Sequence, residues 1–353
     1  MRFSDIPGHE KVKSRLREMA DNGRVPHALL LHGPSGIGKM AMARAMAQYL
    51  HCENRTDGDS CGVCPACLQH QSFNHIDTHY VFPVIKRKSG APTVCDDYLT
   101  EWRDFLNQSP WMDFEQWLML LGKENGQPMI YADESAALIR KLHYTAHHAK
   151  NKVVIMWLPE RMNAECANKL LKMIEEPFDD TILLFVSNDA SMVLPTIYSR
   201  TQRIEMRRYP DDLLASYLMD TYAMDSADAM AVAHVAEGSV NAAVRSINTT
   251  KDSGKYLELF MSLMRLAYQR KVKELRDWSV DVADLGREKE VGFLDYCQRL
   301  IRENFIYNIG VPELNYMTRD ENSFSAKFAR FITERNVEKL IDELNSARTE
   351  IAA

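Results

Sequence analysis

Two hydrophobic patterns divide this chain. Up to about residue 208, short unbroken apolar runs alternate with helical stripes, and from Pro210 onward only helical stripes remain. The runs His27-Ala28-Leu29-Leu30-Leu31-His32, Val153-Val154-Ile155-Met156-Trp157 and Thr181-Ile182-Leu183-Leu184-Phe185-Val186 are bounded by turn residues. Runs of that length predict strands buried on both faces. Lys39 to His51, rich in Ala and Met, predicts a helix. Asn163 can cap another, on which Ala167, Leu170, Leu171 and Ile174 repeat at i, i+3, i+4 and i+7 until Pro177 stops it. Strands alternating with helices imply an α/β fold, a parallel sheet with helices on both faces.

Beyond Pro210, Leu213, Leu214, Tyr217 and Leu218 share a helical face, and Gly238 fits a helix stop before Ser239 starts the next helix. Later stripes are Phe293, Leu294, Cys297, Leu300 and Ile301, then Val337, Leu340, Ile341 and Leu344. The expected organisation is an α/β domain over 1–208, a small helical domain over 209–250 and a helical bundle over 251–353. Residues 79 to 130 interrupt the α/β pattern. There Tyr98, Leu99, Trp102, Phe105 and Leu106 form an amphipathic face, with Trp111 and Trp117 close by. An inserted helical subdomain packing its tryptophans inward is the simpler reading. A docking surface, with the loop triplet Lys86-Arg87-Lys88 touching phosphate, is the other.

The chemistry is concentrated just after the first strand. Gly33-Pro34-Ser35-Gly36-Ile37-Gly38-Lys39 matches the phosphate loop G-x4-G-K, set between a strand and a helix as that loop requires. Gly33, Gly36 and Gly38 would let backbone N–H groups cradle phosphates, and Lys39 would reach the terminal ones. Met40 stands where Ser or Thr would hold Mg²⁺, and a thioether is a poor ligand for a hard cation. The reading is weak binding of ATP or ADP without efficient hydrolysis.

Cys52, Cys61, Cys64 and Cys67 follow that helix as C-x8-C-x2-C-x2-C, residues 51–68 forming the module. Four thiolates suit a closed tetrahedral Zn²⁺ site with no position open to substrate. Seven cysteines in 353 residues is not the pattern of a small disulfide-rich secreted domain. Cys95, Cys166 and Cys297 read as buried or inert thiols. The amino terminus lacks the apolar core of a secretory signal and no apolar stretch reaches 18 residues, so a cytoplasmic protein away from membranes is expected. A net charge of −6 argues against autonomous nucleic-acid binding, which rests on neutralising phosphates.

With Gly8-His9-Glu10, the glycine loop and the cysteine module, two further runs carry a resemblance: Asn168-Lys169-Leu170-Leu171-Lys172-Met173-Ile174-Glu175-Glu176-Pro177 and Leu194-Pro195-Thr196-Ile197-Tyr198-Ser199-Arg200-Thr201. Together they resemble the delta-prime family of bacterial DNA polymerase III clamp-loader subunits, within the AAA+ superfamily, over roughly residues 1 to 250. The insertion and the strand end Ile155-Met156-Trp157-Leu158-Pro159-Glu160 resemble its Bacteroidetes branch. The resemblance implies an AAA+ domain, a lid and a collar in a five-membered ring. Gamma or tau and delta subunits and the sliding clamp would be partners, with primer-template DNA met through the assembled complex. It also implies that Ser199 and Arg200 face a neighbour's ATP site, Arg200 acting as an arginine finger in trans; Thr201 replaces the family's usual Cys.

The departures matter as much. Trp157-Leu158-Pro159-Glu160 stands where the resemblance leads one to expect Asp-Glu at a strand end, and Gly238-Ser239-Val240-Asn241 has Asn241 where an arginine would sense phosphate. Met129-Ile130-Tyr131-Ala132-Asp133-Glu134 imitates the missing acidic motif, but reads as the acidic start of a helix carrying Ile139, Arg140 and Leu142. The expected function is a catalytically silent clamp-loader subunit. The alternatives are an active gamma-type ATPase using Asp133 and Glu134, and a self-standing zinc nucleic-acid binder.

Overall fold

The computed structural model describes residues 1–86, 92–111, 113–122, 127–143, 149–178, 180–251, 253–310, 315 and 317–352. Arg87 and Lys88 of the basic triplet, and Ala353, lie outside the described residues. Two compact units form: Met1–Leu214 with Gly238–Asn241, and Ala215–Glu237 with Ala242–Ala353.

In the first unit the elements run α1 (Glu10–Asp21), β1 (Ala28–His32), α2 (Lys39–His51), α3 (Pro65–Gln71), β2 (Thr78–Val81), α4 (Leu99–Gln108), α5 (Phe114–Leu121), α6 (Ala132–Leu142), β3 (Lys152–Trp157), α7 (Ala164–Glu175), β4 (Thr181–Ser187), α8 (Pro195–Tyr198) and β5 (Gln202–Glu205). The strands make one sheet in the order β2-β3-β4-β1-β5, every neighbour parallel. Central β3 and β4 are buried at every position, so both faces are covered, as their unbroken apolar runs require. The α/β expectation is met.

Two strands escaped the apolar pattern. β2 reads Thr-His-Tyr-Val and β5 Gln-Arg-Ile-Glu; both lie at sheet edges, and β5 buries only Ile204. An edge strand paired on one side needs no continuous apolar run. β2 begins just before the segment read as an insertion and belongs to the sheet, so the excursion leaves after Val81.

That excursion packs its tryptophans inward. Trp102 stacks on Phe82 with centroids 3.9 Å apart, and Trp117 meets Trp102 edge-on at 5.3 Å. The Trp117 indole N–H donates to the Pro83 carbonyl at 2.7 Å, which resolves its one polar group.

α7 begins as the sequence indicates: the Asn163 side-chain oxygen accepts the Cys166 N–H at 2.8 Å. Asn163→Ala should therefore lower stability by about 1 kcal/mol. An unchanged urea midpoint would show that the cap is dispensable.

The remaining helices are α9 (Asp211–Tyr222), α10 (Ser226–Val235), α11 (Val240–Lys251), α12 (Ser253–Tyr268), α13 (Val272–Ala283), α14 (Arg287–Ile309), α15 (Arg319–Phe328) and α16 (Val337–Ala352). Among the described residues of the second unit, the regular elements are all helices. Its core joins Tyr256 and Phe260 of α12 to Phe293, Tyr296, Cys297, Leu300 and Ile301 of α14 and to Val337 of α16. Among the described residues no helix is long and apolar enough to cross a membrane.

Candidate functional site

The loop Gly33–Lys39 connects β1 to α2 at the carboxyl end of the sheet's central strands. Gly38 adopts φ +84° as the N-cap of α2, a conformation L side chains rarely adopt. A Cβ there would lie 2.7 Å from the Trp111 ring. One at Gly36 would lie 2.1 Å from the Ser239 hydroxyl, so both glycines are also required by close packing. Lys39 is buried, and its ammonium donates to the carbonyl of Pro34 in its own loop. Burial lowers its pKa to about 7, with the Glu160 charge pulling the other way. Met40 is buried, and a cleft of about 250 Å³ counted with its open mouth is lined by Gly36, Gly38, Lys39, Met40, Pro110, Trp157, Val186 and Asn188.

Leu158 turns through φ +56° and returns Glu160 toward the sheet, where it accepts the Asn188 N–H at 2.9 Å. Asp133 and Glu134 are engaged elsewhere. They open α6, where Asp133 accepts the Thr93 N–H at 3.1 Å and Glu134 the Cys95 N–H at 2.6 Å. Burial raises the pKa of Glu134. Asn241 donates its side-chain N–H to the Trp111 carbonyl at 2.7 Å and to the Gln116 side chain at 3.3 Å, while its backbone N–H meets the Gly36 carbonyl at 3.2 Å.

Ser199 and Arg200 are exposed at the end of α8, just before β5. The Arg200 guanidinium pairs with Glu175 at 2.6 Å and donates to the Thr196 carbonyl at 3.0 Å; the Ser199 hydroxyl donates to the same carbonyl at 3.2 Å. Thr201 is buried, its hydroxyl bonded to the Tyr198 carbonyl. The pairing with Glu175 had no sequence signal, because twenty-five residues separate the partners.

Cys52, Cys61, Cys64 and Cys67 converge with their sulfurs all within 4.8 Å of one another, and all are free thiols. Cys61 and Cys67 sulfurs lie 4.0 Å apart. Tetrahedral zinc with bonds of about 2.3 Å places neighbouring sulfurs about 3.8 Å apart, so the group fits such an ion. The Val63 and Cys64 N–H groups lower the Cys61 pKa to about 6, whereas burial raises Cys52 and Cys67.

A second group was not anticipated. His51, His70 and His75 are all buried with ligand atoms within 4.8 Å of one another. His51 Nε2 lies 2.8 Å from the Asn151 carbonyl, which assigns it the proton and leaves Nδ1 to accept from His70 Nε2 at 2.9 Å. Burial lowers His51 to about 3 and His70 to about 2, so those two rings stay neutral, and His75 stacks on both.

A glycine phosphate loop at the end of a parallel strand defines a P-loop α/β protein. The chain belongs to the family described as DNA polymerase III, delta subunit, whose model matches residues 8–210. It is 32% identical over 199 residues to the delta-prime subunit of DNA polymerase III from Pseudomonas aeruginosa, covering 56% of this chain and 48% of that one. It is 26% identical over 216 residues to the gamma/tau subunit of Mycobacterium bovis, covering 61% of this chain and 30% of that one. The chain thus matches less than half the length of either relative. A gamma subunit-related protein of Thermotoga maritima is 14% identical, covers 97% of this chain and 99% of its own, and superposes with a TM-score of 0.40.

Proposed function

We propose that this chain is a catalytically silent, delta-prime-type subunit of the DNA polymerase III clamp loader. It works in the cytoplasm with gamma or tau and delta subunits and the sliding clamp, and meets primer-template DNA through that assembly. The state of the phosphate loop carries the reading. Lys39 is turned onto the Pro34 carbonyl, Met40 is buried where a metal-binding hydroxyl would stand, and Asp133 and Glu134 hold backbone N–H groups of another segment. Any ATP or ADP that did reach Lys39 would therefore not be hydrolysed. Arg200, exposed and forked, is suited to stabilise charge on a phosphoryl group bound by a neighbouring subunit. Zn²⁺ held by Cys52, Cys61, Cys64 and Cys67 would be structural.

The likeness to gamma/tau subunits supports a second reading, an active ATPase using Asp133 and Glu134. Steady-state turnover separates the two. The isolated chain should hydrolyse ATP no faster than background, and Asp133→Asn should change nothing. Measurable hydrolysis abolished by that substitution would establish the second reading.

A further inference from the structure

We propose that the inserted subdomain is an internal lid, with Pro110 and Trp111 closing the phosphate loop of this same chain and keeping nucleotide out. The inference rests on the silent-subunit reading and names what silences the site.

Ser109 turns the chain, its hydroxyl accepting the Trp111 N–H at 3.0 Å. The indole that follows lies against Gly38, so close that a single added carbon would collide with it, and it is itself buried. Its carbonyl is held by Asn241, whose backbone in turn holds the Gly36 carbonyl, so one residue ties lid and loop together. On the other side the Tyr209 hydroxyl donates to the Ile37 carbonyl at 3.2 Å.

What remains beside Lys39 is the cleft of about 250 Å³, mouth included, with Pro110 and Trp157 among its walls. A phosphate chain is highly charged and needs the loop's N–H groups together with a lysine free to reach it. Here the lysine is buried against its own loop, and the nearest new walls are uncharged rings.

Equilibrium binding of a fluorescent ATP analogue, and of ADP in competition, to the full chain tests this. The unaltered chain should show no saturable binding at millimolar ligand, and Trp111→Gly should gain at least about tenfold in affinity, or 1.4 kcal/mol. Thermal unfolding checks that the variant is folded. If it is not, Asn241→Ala, which removes only the tether to the Trp111 carbonyl and Gln116, should give the gain instead. Unaltered chain that binds as tightly as the folded variants overturns the lid and leaves the silent-subunit reading intact. Folded variants that both fail to bind also overturn it. Turnover by the unaltered chain overturns lid and silent-subunit reading together.

Discussion

Replacing Arg200 with alanine is expected to leave this subunit folded and its complex assembled, while lowering DNA-stimulated ATP hydrolysis and clamp loading. The structural loss should be small. The Arg200–Glu175 pair is formed by side chains 39% and 46% exposed, and exposed pairs are worth about 0–1 kcal/mol. The catalytic loss should be large at one site, because arginine fingers are worth ~10³–10⁵ in rate for GTPases. In a ring with several ATP sites only one would lose its finger, so the summed rate should fall much less. Arg200→Lys should restore little, since an ammonium keeps the charge without the planar fork. A reconstituted mutant complex that loads clamps at the full rate would sink the finger assignment.

Cys64→Ser, or extraction of the metal, should loosen the cysteine module while the parallel sheet stays folded. Structural zinc contributes roughly 10–16 kcal/mol in small zinc peptides, enough to decide whether so short a segment is ordered. The module between Cys52 and Gln71 contains one short helix, α3, and only Cys52, Ser60, Ala66, Cys67 and His70 are buried within it. The sheet has its own core in β3, β4 and α2 and does not pass through the cysteines. Gently purified protein should hold one zinc per chain, and hydrogen exchange in Cys64→Ser should rise between residues 52 and 71 only. Protein without zinc, or a variant that unfolds globally, would refute this.

Legibility followed the range of the interactions involved. The cysteine cluster was readable because its four ligands fall within sixteen residues, as was the loop at Gly33–Lys39, whose geometry is set by glycines a few positions apart. The acidic pair Asp133-Glu134 was correctly read as a helix start, since helix-end chemistry is local. The position of Glu160 had no sequence signal, because a left-handed turn at Leu158 redirects it and nothing in the apolar pattern marks that turn. The edge strands β2 and β5 were missed because their burial comes from one neighbour only, found far along the chain.

By itself the sequence determined the alternation of strands and helices and the helical stripes from Pro210 onward, and it placed Met40 where a metal-holding hydroxyl is expected and, by resemblance, Asn241 where a phosphate-sensing arginine is expected, all properties carried by single residues or short periods. Only the tertiary structure decided that Trp111 closes over Gly38, that Asn241 binds the insertion to the loop, that Glu175 holds Arg200 and that three histidines meet beside the cysteine module. These contacts join residues separated by between five and two hundred and five positions. They exist because the parallel sheet brings distant segments together at both ends of its strands. No periodicity along the chain encodes which of those segments will touch.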